Sequence, residues 1–201
     1  MARLGIVDYW AGDPAAGRLL IEEGLALSRE VDDKLGTAWW LEMLALTLVE
    51  LGELGQAQSL AEEGALRCRE LGDRRDQATS LFALAAVALE LGELETAHLR
   101  AREALVLCRE LGDKILIAAT LEIFACLSAQ QSQPSRALRT AGAGAALAVA
   151  YGFVLPRGWQ DRIEREEKAA YRTLGTEAAD TAWKQGHDLP LEQVIDEALA
   201  S

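Results

Sequence analysis

The chain has 201 residues and a formal net charge of −12; half of it is hydrophobic and 5% is aromatic. So acidic a surface repels phosphate backbones and anionic bilayers, so neither direct nucleic-acid binding nor a membrane partner is expected. Ala and Leu dominate, β-branched residues are sparse, and four prolines leave long stretches free to be helical, so the composition points to an all-α protein.

In chain order, "RLGIVDYW" before Ala11 reads as the last turns of a truncated helix over 1–10. It lacks the long apolar run of a signal peptide, and no stretch reaches the ~18 apolar residues of a membrane span. A cytoplasmic location is expected.

From residue 11 onward the chain is periodic. "LGEL" at Leu51–Leu54 returns at Leu91–Leu94, and "CRELGD" at Cys68–Asp73 returns at Cys108–Asp113, each forty positions on (91 − 51 and 108 − 68). Laying 51–90 over 91–130 gives 16 identities in 40 positions by direct count. "AGDPAAG" and "SREVDD" extend the register upstream, and "QSQPSRA" and "AVAYGF" extend it more faintly downstream. A fixed period of this size marks a repeat array, with units at about 11–50, 51–90, 91–130 and 131–155.

Each unit reads as helix, turn, helix. Ala78, Leu81, Leu84, Ala85, Ala88 and Leu89 recur at three- and four-residue steps and make one stripe. Gly92 stops that helix in a left-handed conformation. A second stripe (Ala97, Ala101, Ala104, Leu105, Cys108) ends before Gly112, and Asp113 is placed to cap the next helix. Two columns hold only small residues: Gly17, Ala57, Ala97 and Ala137, and Gly24, Gly64, Ala104 and Gly144. Glycine inside a helix costs about 0.5–1 kcal/mol relative to alanine, so its repeated use suggests close helix approach.

Small-residue columns, Gly-Asp or Gly-Glu turns and paired antiparallel helices resemble tetratricopeptide repeats. Leu81, Leu84, Ala85, Ala88, Ala97, Ala101 and Ala104 fall on that pattern's signature positions. The unit is longer than the family's usual thirty-four residues. With "LGD" between repeats it resembles the variant in bacterial LuxR-type, MalT-like regulators and related signalling ATPases and cyclases. The resemblance covers roughly 1–155 and implies an α-solenoid, a right-handed superhelix of antiparallel helix pairs. It also implies a non-catalytic role receiving a signal for a larger transcriptional or signalling regulator.

A repeat array needs a polar cap at each end. At the N-terminus either an irregular short helix serves or the chain is a piece of a longer protein, and the second is expected. At the other end, 156–201 is read as capping helices. Pro156 and Gly158 break the register. A charged helix over Trp159–Gly175 follows, with a narrow stripe of Trp159, Ile163, Ala170 and Leu174. A helix over Thr176–Gln185, a turn at Gly186 and a last helix over Pro190–Ala200 complete the chain. Ala182, Trp183, Gly186, Leu189, Leu191 and Glu192 resemble the close of the repeat domain in those regulators. A helix-turn-helix usually comes next there, and none lies within these 201 residues.

Little in the sequence points to catalysis. The three cysteines, Cys68, Cys108 and Cys126, form no CxxC pair and read as buried packing residues. His98 and His187 are far apart, with no cluster at ligand spacing, so no metal is expected. There is no phosphate loop, and "GAGA" at Gly142–Ala145 follows no strand, so it reads as close helix packing. No nucleophile–base–orienter arrangement is recognisable. Neither a cofactor nor enzyme activity is expected.

Interest falls on the inner side of the first helix of each pair, which lines the concave groove of such solenoids. The candidate groove residues are Trp39, Glu42, Leu46, Val49, Phe82, Ala86, Leu89, Glu122 and Cys126, an apolar strip bounded by acidic groups. Such a strip suits an apolar or basic peptide, a protein, or a small-molecule effector. The competing reading is that these side chains pack against neighbouring helices. Self-association into a homo-oligomer is the alternative function.

Overall fold

The computed structural model describes residues 13–200, so the expected helix over 1–10 lies outside the described residues. Ten helices are described: α1 (Pro14–Glu30), α2 (Lys34–Glu50), α3 (Leu54–Leu71), α4 (Arg74–Leu91), α5 (Leu94–Leu111), α6 (Lys114–Gln130), α7 (Pro134–Tyr151), α8 (Arg157–Leu174), α9 (Thr176–His187) and α10 (Leu191–Leu199). The described residues contain no strand, and the protein is all-α. None of these helices is long and apolar enough to cross a membrane.

The expected stops and starts lie where the sequence puts them. Gly72, Gly92 and Gly112 are left-handed at the ends of α3, α4 and α5. Asp73 accepts from the backbone N–H of Arg75 and Asp76 at 3.0 Å, and Asp113 accepts from that of Leu116 at 3.0 Å. These contacts satisfy donors that a helix start leaves open. The geometric period is finer than forty. Asp32, Gly52, Gly72, Gly92, Gly112, Ser132 and Gly152 all have positive φ and stand twenty residues apart. Asp32 and Ser132 hold this conformation without being glycine, at φ of 54° and 59°.

The chain divides into two compact units, Met1–Arg100 with Pro156–Gly158 and Ala101–Leu155 with Trp159–Ser201. In the first, α1 packs on α2, α2 on α3, α3 on α4, and α2 also meets α4. Its core gathers Ile21, Leu25, Trp40, Leu41, Leu44, Leu48 and Val87. Each such large apolar side chain contributes about 1.5–3 kcal/mol when fully buried. In the second, α7 packs on α6 and on α9, and α10 touches α7. Leu138, Ala170, Ala179 and Ala182 form a buried cluster there, flanked by Tyr171, Leu174 and Trp183.

Helices α2, α4 and α6 are buried around most of their circumference, as suits helices with hardly any polar face. In contrast, α1 and α3 bury one side and hold the other in water with ion pairs such as Arg18–Glu53 (2.6 Å) and Arg67–Glu63 (2.9 Å).

Two details differ from the sequence expectation. Gly186 is a helical residue near the end of α9, not a turn. It is small because a Cβ there would overlap the backbone carbonyl of Arg139 on α7. Pro190 caps α10 from outside and is not within its first turn. The "GAGA" segment is a tight approach: a Cβ on Gly142 would overlap the carbonyl of Trp183.

Candidate functional site

Eight of the nine candidate groove residues are buried. Glu42, Leu46 and Val49 on α2 and Phe82, Ala86 and Leu89 on α4 lie in the first unit, and Glu122 and Cys126 on α6 lie in the second. Trp39 is half-buried, with its ring edge-on to Trp40 at a centroid distance of 4.6 Å. The buried eight therefore face packed interior, with their side chains closed to solvent.

Two of them are carboxylic acids, which are rarely buried unless paired. Glu42 is fully enclosed. Its Oε1 accepts from the Ser80 hydroxyl on α4 and from the Cys68 thiol on α3 at 3.3 Å, while Ser80 Oγ and Cys68 Sγ stand 3.7 Å apart. Oε2 has no hydrogen-bond partner. Burial pushes the Glu42 carboxyl up to about 8, against the opposing pull of the Ser80 and Cys68 donors, and the acidic Asp76 and Asp73 add to the rise. A neutral acid is what such a site tolerates. The Cys68 thiol is pushed up to about 12, first by burial and then by the Glu42 charge. It remains a thiol and a donor, without thiolate reactivity. The three groups tie α2, α3 and α4 together and offer no open face to a substrate.

Glu122 occupies the same register position two periods on (122 − 42). It is also buried, and its Oε2 likewise has no hydrogen-bond partner. Its Oε1 fills the notch left by Gly144 on α7, where a Cβ would overlap it. Burial raises its pKa well above the ordinary carboxylate range, and the charge of Glu167 on α8 adds to the rise. Glu167 itself is raised by burial, eased by a hydrogen bond with Trp183 on α9, and raised further by Glu164. Beside them, Cys126, Leu138, Ile163, Glu166 and Glu167 line a cavity of about 10 Å³, roughly the least space that can hold one water.

Forty residues after Glu42 this register position holds Phe82, and forty residues after Gly64 the small-residue column holds Ala104. The small-residue column therefore does not make one uniform demand. Gly144 is tight against Glu122 and Gly24 lies under the Trp40 ring, which would approach a Cβ to 2.5 Å. At Gly64 a Cβ would meet Glu42 Cγ at 3.4 Å, an ordinary contact.

Sequence reasoning selected both glutamates but not their surroundings. Ser80, Cys68, Gly144 and Glu167 come from other helices; of these Gly144 stands out through its column and Cys68 as a recurrent cysteine read as buried, and Ser80 and Glu167 do not stand out. Among the described residues, no group of three or more His, Cys, Asp or Glu could hold a metal ion. His187 stacks on Trp183 at 5.0 Å and lies 3.2 Å from Asp188. The chain matches no protein-family model and no curated protein.

Proposed function

We propose that this chain is a non-catalytic tetratricopeptide-like scaffold that binds a protein, a peptide or a small-molecule effector, and is the sensing part of a larger bacterial regulator. The observation that supports this reading is the even twenty-residue spacing of left-handed residues between helices of nearly equal length. Such regularity is the habit of repeat proteins, whose work is done by surfaces and not by a catalytic cleft. Of the nine groove candidates, the half-buried Trp39 is the one a partner reaches without unpacking the chain. The immobilised protein and its Trp39→Ala variant are compared for quantitative retention of a partner, with helicity followed by circular dichroism. The expected result is weaker retention at unchanged helicity. Full retention by a well-folded Trp39→Ala variant sinks the assignment of that face.

Self-association is the second reading, favoured by large apolar side chains open to solvent on the first unit. Leu19, Leu27 and Val31 are 68%, 52% and 73% exposed, and Leu66 is 54% exposed. Light scattering over a wide concentration range tests it, and a monomer throughout removes it.

A further inference from the structure

We infer that α8 is a proton-held latch over α6: it stays seated while Glu122 and Glu167 are neutral, and it releases from α6 when they ionise.

The argument starts from geometry. Glu122 is 4% exposed, its Oε1 is pressed into the Gly144 notch, and its Oε2 has no donor. An ionised carboxylate in that setting is largely cut off from water and leaves Oε2 without a donor, whereas a neutral acid is tolerated. The helix that lies over this region brings another acid. Glu167 acts on Glu122 as a like charge, and Glu166 and Glu167 line the small cavity beside Cys126.

The neighbouring charges do not offset this. On α8, Lys168 pairs with Glu164 at 2.8 Å, and the Arg162 guanidinium lies over the Trp159 ring at 4.6 Å. From α7, Gly144 makes the close approach, and Arg136 and Arg139 hold Glu197 on α10. From α9, Trp183 bonds with Glu167, while His187 is beside Asp188 and Asp180 holds Tyr171. Cys126 is the titratable neighbour on α6 itself. Both carboxyls titrate above their usual range, burial being the larger cause in each.

Of the elements around Glu122, α8 is the one suited to move. Trp159 and Ala170 are its buried residues, and Asp161, Glu164, Arg165 and Lys168 are already in water. Release would hydrate both carboxylates at the loss of Trp159 burial and of the contacts of Ala170 with Leu138 on α7 and Ala179 and Ala182 on α9. The latch is independent of whether a partner uses the face it uncovers.

Cys126 reports the opening because it lies under α8 and is 1% exposed. The native protein is pulsed with N-ethylmaleimide at about pH 6 and about pH 9, and labelling of each cysteine is read by peptide mass spectrometry after correction for intrinsic thiolate reactivity. Cys108, fully buried in the same unit, is the reference for global unfolding. Corrected Cys126 labelling is expected to rise roughly ten-fold or more relative to Cys108 at the higher pH. In Glu122→Gln/Glu167→Gln that rise is expected to vanish, and in Glu167→Gln alone, which leaves the buried residue untouched, to shrink. Equal protection of Cys126 at both pH values overturns the latch. So does an equal rise at Cys108, or a rise that survives in the folded glutamine variants.

Discussion

Glu42 and Glu122 stand at one register position, are both buried, and are surrounded in different ways. Around Glu42 the neighbouring helices supply a hydroxyl and a thiol, and the glycine across from it, Gly64, would accept a Cβ at ordinary contact distance. Around Glu122 they supply a tight notch at Gly144 and a second acid, Glu167. Each leaves Oε2 without a partner, but Glu42 has a hydroxyl and a thiol donor on Oε1 that knot three helices together, and Glu122 faces a notch and a second acid. A repeat can thus keep a residue and its position while changing whether that residue holds the structure or loads it.

The largest expected effect tests what the two acids share. Both are neutral when folded and ionise more readily when unfolded, so the folded state binds the extra protons. The stability this gives is fully present below the ordinary glutamate range and falls as pH rises. For Glu42 the fall runs from there to about 8 and levels off beyond. At about 1.4 kcal/mol for each unit between the two pKa values, the loss is on the order of a few kcal/mol. Urea unfolding between about pH 5 and pH 9 should show this decline, and Glu42→Gln should flatten its Glu42 share. A pH-independent midpoint in the parent protein would mean that Glu42 is solvated.

Next, Ser80→Ala makes Glu42 resemble Glu122 by removing its hydroxyl donor. Stability should fall by about 1–3 kcal/mol, and the alkaline decline should extend to higher pH. Unchanged stability at neutral pH would show that the Ser80 bond adds nothing to the knot.

Gly64→Ala and Gly144→Ala then separate the two notches. The first should be neutral or stabilise by up to about 1 kcal/mol, since alanine favours the helix. The second should cost about 1–3 kcal/mol because the buried carboxyl must shift. Adding Glu122→Gln to Gly144→Ala should recover part of the loss if the buried acid is what the Cβ meets; a fully additive double-mutant cycle would refute that coupling.

The smallest effect concerns the turns. Ser132→Gly relieves a left-handed serine and should stabilise by about 0.5–1 kcal/mol, seen as a small rise in the urea midpoint. Destabilisation would mean that the serine side chain holds the turn.

The helices were legible because their punctuation is local: a left-handed glycine and a capping aspartate act within one turn of their own position. The all-α class followed from that. The cysteines are buried as read, all three of them, but Cys68 also donates to Glu42. Gly186 was misread because a glycine near a proline reads as a turn, and only the carbonyl of Arg139, a distant residue, explains it as a packing contact. The surroundings of Glu42 were hidden for the same reason. Ser80 and Cys68 are 38 and 26 residues away, and neither residue type announces a buried acid. The seat of α8 was the least visible, because its stripe is narrow and its charges suit an outer helix.

The even spacing of the left-handed turns makes the chain a candidate for excision without scars. Removing residues 51–90 splices Glu50 directly onto the second "LGEL", with turn, cap and helix lengths unchanged. In the shortened protein Glu42 would find Cys108 where Cys68 had been and Thr120 where Ser80 had been (68 + 40 and 80 + 40), again a thiol and a hydroxyl. The two donors of the knot are thus spelled twice in the sequence, although the acid is not, since position 82 is Phe.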